Sequence, residues 1–220
     1  MIDTLALVVF LYALKFFPKP TDLMQFRTAF RPMPLSHPAR KRVERKCRGQ
    51  MHSIPISDSP GPVGRCYWTA QAAAAKDPAS SVQHGWLVNI YPRKLVFCVH
   101  HAVLRLPSGG LLDLKKYPLK TVSKVSFIPN DDLVPRLDRP EFIDQICLAL
   151  SDAPEVRDYI TFGRKQVQLR REIAKINYEA EAVGAGPVKE NRPPPQLAAL
   201  EAELYQNQRR IDHILAALAR

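Results

Sequence analysis

The chain has 220 residues and a formal net charge of +11, with its cations crowded into the N-terminal third. That length holds one compact domain of ~120 residues plus extensions. The four cysteines, at 47, 66, 98 and 147, form no CxxC pair and no regular framework, which argues against a disulfide scaffold and for reduced thiols in a cytoplasm-like compartment.

In chain order, residues 1–23 come first. The uncharged run Thr4 to Leu14 is shorter than the ~18 residues of a spanning helix, lacks a basic leader and is followed by no small-residue cleavage site. It is expected to be an apolar peripheral helix, or to precede a true start at Met24. A membrane anchor is less favoured, so the expected location is cytoplasmic or membrane-peripheral.

Residues 24–60 are rich in proline and carry Arg27, Arg31 and the cluster Arg40-Lys-Arg-Val-Glu-Arg-Lys-Cys-Arg48. With almost no hydrophobic periodicity, they read as a basic Pro-rich arm. Weak contact with nucleic acid or an anionic membrane through 27–48 is one reading and a solvated arm the blander one. No aromatics are interleaved there to stack single-stranded bases.

A core domain is expected over 61–152. The alanine-rich run Cys66–Lys76 forms a helix after the turn Pro60-Gly-Pro-Val-Gly-Arg65, and Asp77-Pro78 closes it. Residues His84–Tyr91 and Leu95–Leu106 are β-branched and aromatic enough for strands. Pro107-Ser-Gly-Gly110 turns into a partner strand beginning at Leu111, and 121–128 adds another. A further helix is expected near 138–150, capped by Asp138 with Pro140 in its first turn and burying Phe142, Ile143, Ile146, Cys147 and Leu150. The fold class is therefore α+β, a helix packed on an antiparallel meander.

Over 153–220 the period is helical. One long helix, 155–183, carries Leu169, Ile173, Ile176, Ala180 and Val183 on a stripe. After Gly184-Ala-Gly-Pro187 and Arg192-Pro-Pro-Pro195, a last helix shows Leu197, Leu200, Leu204, Asn207, Ile211, Ile214 and Leu218 at spacings of three and four. This is a heptad seam with one polar position. It implies an antiparallel hairpin, or a coiled coil that self-associates through 196–219.

The chemistry gathers at Cys66, His101 and Asp113. A thiol at a helix start has its anion favoured by the first-turn amides. An imidazole on a neighbouring strand can carry protons, and a carboxylate beyond it can fix its tautomer. Because side chains alternate along a strand, only one of His100 and His101 can face Cys66, and His100 stands as the alternate base. Gln71, farther along the same helix, and Asn89 are candidate oxyanion donors. An alternative is a zinc site built from Cys66, Cys98, His101 and Asp113, with His84 in reserve, although paired-ligand spacing is missing. Each residue also has an ordinary reading: Cys98 as strand core, Asp113 as a hairpin cap or a partner of Arg105, Trp86 as core packing with Tyr91.

Over 66–113 the pattern Cys66, Gly85-Trp86, Pro92, His100-His101-Ala102-Val103, Gly109 and Asp113 resembles a group of uncharacterised bacterial and phage proteins. More loosely, its order resembles transglutaminase-like and papain-like cysteine enzymes. That likeness implies a papain- or transglutaminase-like core and favours His101 over His100. It also implies a cysteine hydrolase or acyltransferase acting on a protein or peptide substrate without a cofactor. The chain departs from the bacterial and phage pattern after the turn, where Asp113 is followed by Leu114-Lys115-Lys116 instead of Asp-x-Thr-Pro. It departs again before the histidine, where Phe97 and Val99 replace acidic residues. A non-catalytic coiled-coil adaptor with a basic arm is the remaining alternative.

Overall fold

A computed structural model describes residues 30–61, 65–115, 117, 122–136, 143–182 and 195–218. The described residues fall into two compact units. One comprises those between Arg27 and Val134 together with Gln145–Asp152, and the other those in Pro135–Asp144 and Ala153–Arg220. The N-terminal apolar run 1–23 lies outside the described residues. No helix among those described is long and apolar enough to cross a membrane.

The first unit is mixed α and β. Its strands are β1 (Arg31–Pro32), β2 (His52–Gly61), β3 (Ser81–Tyr91), β4 (Leu95–Arg105), β5 (Leu111–Lys115), β6 (Lys124–Pro129) and β7 (Ile146–Ala149). Its helices are α1 (Arg40–Cys47) and α2 (Cys66–Ala74). The strands run β1-β3-β6-β2-β5-β4-β7, and β3 also pairs with β4. The ring β3-β6-β2-β5-β4 is thereby a closed five-stranded barrel. Ile54, Leu87, Val103, Val125 and Phe127 fill it, with Ile56, Leu111, Tyr117 and Val122 packed against them. Closure removes the exposed edges that an open sheet would leave.

The barrel is not a simple meander. β3 and β4 form a long hairpin and β5 follows antiparallel to β4, but β6 inserts between β3 and β2, and β2 runs parallel to β5. Gly85 marks the close approach of β3 to β6. A Cβ there would lie 2.2 Å from the Ile128 carbonyl oxygen and 2.6 Å from the Phe127 ring, so only glycine lets the strands meet.

Two expectations are corrected. The stretch expected as an arm contains β1, α1 and β2. Helix α1 escaped notice because it is almost wholly polar, its buried face consisting of Val43 and Cys47 at i, i+4 spacing. Strand β2 escaped because Pro55 and Pro60 interrupt it, and proline normally disqualifies an inner strand. Pro55 is tolerated at the end of the β2–β6 ladder, opposite Lys124. The basic cluster accordingly lies on α1, where Arg40 is engaged with Glu44 at 2.8 Å. The second correction concerns 138–150. Ile146–Ala149 pairs with Leu95–Cys98 of β4 as strand β7, so ladder hydrogen bonds along an open edge outweigh the helical spacing. Asp138, Pro140 and Phe142 lie outside the described residues.

The second unit contains α3 (Pro154–Ala182) and α4 (Pro195–Leu218). Leu169, Ile173, Leu197 and Leu204 form their shared core, with Leu200 packed against it. The helices run antiparallel, as the contacts show. Asn207 donates to the Phe162 carbonyl at 2.9 Å and to Gln166 at 2.8 Å, and Lys165 pairs with Glu203 at 2.6 Å. The seam expected to join helices within or between chains is thus occupied within this chain. Asn207 is its one polar position, almost fully buried. Val183 and the side chain of Ala180 lie outside what is described.

Candidate active site

Strand β4 explains how the site forms. One of its edges is covered throughout by β3. The other is paired with β7 over Leu95–Cys98 and with β5 only at Leu104 and Arg105. Between those pairings no strand among the described residues lies against the edge from Val99 to Val103, and the first turn of α2 occupies the gap. Cys66 accepts the Ala102 backbone N–H, and the Tyr67 hydroxyl reaches the His100 carbonyl at 3.4 Å. A strand edge with open N–H and C=O groups needs such partners.

Local sequence favours that seat. The alanines of α2 let it lie close, and Ala70 is completely buried. At the end of β2, a Cβ on Gly61 would stand 2.4 Å from the Thr69 methyl, so a small residue lets the strand pass the helix. Arg65, the residue before the first turn, supplies no side-chain cap, and first-turn N–H groups have no acceptor inside a helix.

Register then selects the histidine. His101 lies opposite Gly85, and His100 opposite Trp86. Alternation turns His101 to the barrel interior, on the side of Val103, and His100 to the opposite face. His101 Nε2 lies 2.9 Å from Asp113 Oδ1, and the ring also hydrogen-bonds the Cys66 thiol. With Nε2 committed to the carboxylate, Nδ1 is the nitrogen left for sulfur. Asp113 is fully buried and accepts two further bonds, from the Lys115 backbone N–H at 2.9 Å and from the Tyr117 hydroxyl at 2.7 Å. A buried carboxylate requires this degree of satisfaction. Arg105, a sequence-level rival for Asp113, donates instead to Gln83.

Electrostatics follows the geometry. Burial works against the imidazolium, yet the hydrogen bonds to Asp113 and Cys66 and the charges of both raise His101 to about 9. Burial likewise opposes the thiolate, but the His101 hydrogen bond and charge, the Ala102 N–H and the Lys115 charge bring Cys66 below its ordinary value. Asp113 is held low against its own burial by His101, Tyr117 and the Lys115 N–H. The row is therefore polarised toward thiolate, imidazolium and carboxylate. His100 goes the other way. Burial and the neighbouring His84 depress it to about 4, against the pull of the Leu133 backbone and with a further lowering from His101. His100 is thus neutral under ordinary conditions.

The other candidates lie elsewhere. Gln71 is exposed and five residues beyond Cys66, about 140° round the helix at 3.6 residues per turn. Asn89 is on β3 opposite Phe97, four residues from the Gly85–His101 pair, or ~13 Å at strand rise. Cys98 faces Cys47 and Cys147, which together with burial hold its thiol well above the ordinary value. It is on the strand face opposite His101, so the four proposed zinc ligands are not brought together. Among the described residues no group of three or more His, Cys, Asp and Glu side chains is arranged to hold a metal ion. Trp86 is buried against His100, ring centroids 5.2 Å apart.

Tyr117 and Lys115 were missed in the sequence. Alternation from Asp113 places 115 and 117 on its side of an extended chain, which was the available signal. No family model, curated protein or solved structure matches the chain.

Proposed function

We propose that the barrel unit is a cysteine-dependent acyl-transfer or amide hydrolase domain, with Cys66 as nucleophile, His101 as proton carrier and Asp113 orienting the imidazole. The observation that carries this is the continuous chain from the helix-start thiol through His101 to the buried Asp113 carboxylate, polarised toward thiolate and imidazolium. Structural cysteines are usually inert and buried. Cys66 is only partly buried and has its anion stabilised.

The reaction follows from these groups. The Cys66 thiolate attacks the substrate carbonyl carbon, forming a C–S bond and placing the negative charge on oxygen. The first-turn amides of α2 near Tyr67 and Trp68 stabilise that oxyanion. His101 gives its Nδ1 proton to the leaving nitrogen, the C–N bond breaks, and a thioester remains with a neutral imidazole. Water, or an acceptor amine, then attacks while His101 takes its proton; the C–S bond breaks and the thiolate–imidazolium pair returns. Asp113 stays ionised and holds Nε2 throughout. A helix-borne Cys with His and Asp on barrel strands supports reading the fold as a papain- or transglutaminase-like core, and peptide or isopeptide bonds are the substrate class that likeness suggests.

The test is the pH dependence of Cys66 alkylation by iodoacetamide, combined with amide and isopeptide turnover. Reaction well below the ordinary thiol range, lost in His101→Ala, and turnover lost in Cys66→Ala are expected. A Cys66 that alkylates like a free thiol, or a folded Cys66→Ala protein that keeps its turnover, would overturn the reading.

A further inference from the structure

Cys66 and Tyr67 are consecutive on α2, and His101 and His100 are consecutive on β4. Their contacts cross in register: Cys66 meets His101 on the interior face, while the Tyr67 hydroxyl lies 2.8 Å from His100 Nδ1 on the other. Two adjacent helix residues thus straddle one strand, and the helix start is held at two points on opposite faces. We propose that Tyr67 and His100 form a positioning pair that fixes the rotation and depth of the α2 first turn, so that the Cys66 sulfur stays seated on His101. The inference rests on the reading of Cys66 as nucleophile, and it gives the second histidine a role distinct from proton transfer.

The surroundings of His100 suit that task. The ring is buried, stacked on His84 at 6.0 Å and 12° and set edge-on to Trp86 at 5.2 Å. Tyr67 is in turn packed near both histidines and Trp68, with centroid distances of 5.9, 5.8 and 6.3 Å. A ring fixed on several sides is a firm anchor for a hydroxyl, and its neutral form offers an imidazole nitrogen as acceptor. A helix that slips by ~1 Å at a reacting atom costs about a hundredfold in rate. The charged and titratable groups facing Cys66 and His101 are Asp113, Lys115 and Tyr117; those near His100 are Tyr67, His84 and His101, with Asp131 acting on His84. Tyr67→Phe, His100→Ala and His100→Asn leave all of these groups in place except Tyr67 or His100 itself, and His101→Ala serves as the control that removes the Cys66 partner.

The experiment measures iodoacetamide alkylation of Cys66 against pH in the full chain, alongside thermal unfolding, for wild type, Tyr67→Phe, His100→Ala, His100→Asn and His101→Ala. Tyr67→Phe keeps the ring and removes only the hydroxyl. The expected result is an upward displacement of the alkylation profile and a fall of about ten- to a hundredfold in rate near neutrality. His100→Ala should behave alike, and His100→Asn, whose amide oxygen can accept the phenol proton, should recover most of the loss. Lower melting temperatures with an unchanged profile in Tyr67→Phe would mean mere packing and overturn the inference, whatever His100→Ala does to folding. A wild-type profile that is low and depends on His101, yet is indifferent to Tyr67→Phe, would sink the positioning pair alone. A wild-type profile like that of a free thiol would sink the nucleophile as well.

Discussion

Asp113→Asn is the sharpest probe of the polarised chain, because the structure lets it remove charge without removing shape. Three donors converge on the carboxylate: His101 Nε2, the Lys115 N–H and the Tyr117 hydroxyl. An asparagine oxygen in the Oδ1 place still serves the first two. Its amide group then faces Tyr117, whose hydroxyl can rotate and accept, so the fold should survive. The charge effect is large. His101 is raised from 6.5 to about 9, which corresponds to about 3 kcal/mol, or roughly 300-fold, in favour of the imidazolium. Burial opposes that shift and Cys66 shares in producing it, so roughly 300-fold is the net of these effects and not the part owed to Asp113 alone. With burial no longer opposed by the carboxylate, the His101 ring should titrate clearly below 9, and the Cys66 thiol should move back up toward its ordinary value. NMR titration of the His101 ring and iodoacetamide kinetics at pH 6 measure the two ends of the same change. A folded Asp113→Asn protein with unaltered His101 titration and unaltered alkylation would refute the reasoning.

Further expectations follow from the same contacts. The stability that His101 contributes, its value being raised on folding, should be fully present below about 6.5 and be lost as pH rises toward about 9. Cys66, lowered on folding, contributes in the opposite sense as pH rises toward the ordinary thiol range and should offset part of that loss. Unfolding free energies across the window check this, and a full slope near 1.4 kcal/mol per pH unit, about one uncancelled proton, would mean that Cys66 offsets none of it and contradict the paired assignment. Tyr117→Phe deletes a hydrogen bond to a buried anion and should cost about 1.5–3 kcal/mol by chemical denaturation; a change within error would show that the phenol does not hold Asp113. Gly85→Ala should destabilise the barrel by ~1–3 kcal/mol through the clash with Ile128, and an unchanged midpoint would mean that β3 and β6 have room to separate. Leu204→Ala should cost the helical unit about 2–5 kcal/mol with the Cys66 alkylation profile unmoved; a shifted profile would show that the two units are coupled.

The elements whose residues announce themselves locally were legible from the chain. The Leu95–Arg105 strand and its hairpin partner are continuous β-branched runs bounded by turn residues. The Cys66 helix is alanine-rich, and the α4 seam, Asn207 included, repeats at three and four. Cys66, His101 and Asp113 were nameable because each sits at a recognisable point: a helix start, a strand interior, the strand after a turn. What the sequence could not settle was assembly. Val43 and Cys47 are too few apolar residues to advertise α1, and a proline-bearing β2 is stable only because β6 and β5 flank it. Ile146–Ala149 has helical spacing but satisfies the open edge of β4. The choice between His100 and His101 was tertiary too, since alternation says that they differ and only the β3–β4 register, with α2 filling the gap beyond β7, says which faces sulfur. Tyr117 and the crossed contact of Tyr67 with His100 belong to the same class. They depend on hydrogen bonds between side chains whose meeting is set by how the strands and α2 pack, rather than by any local preference.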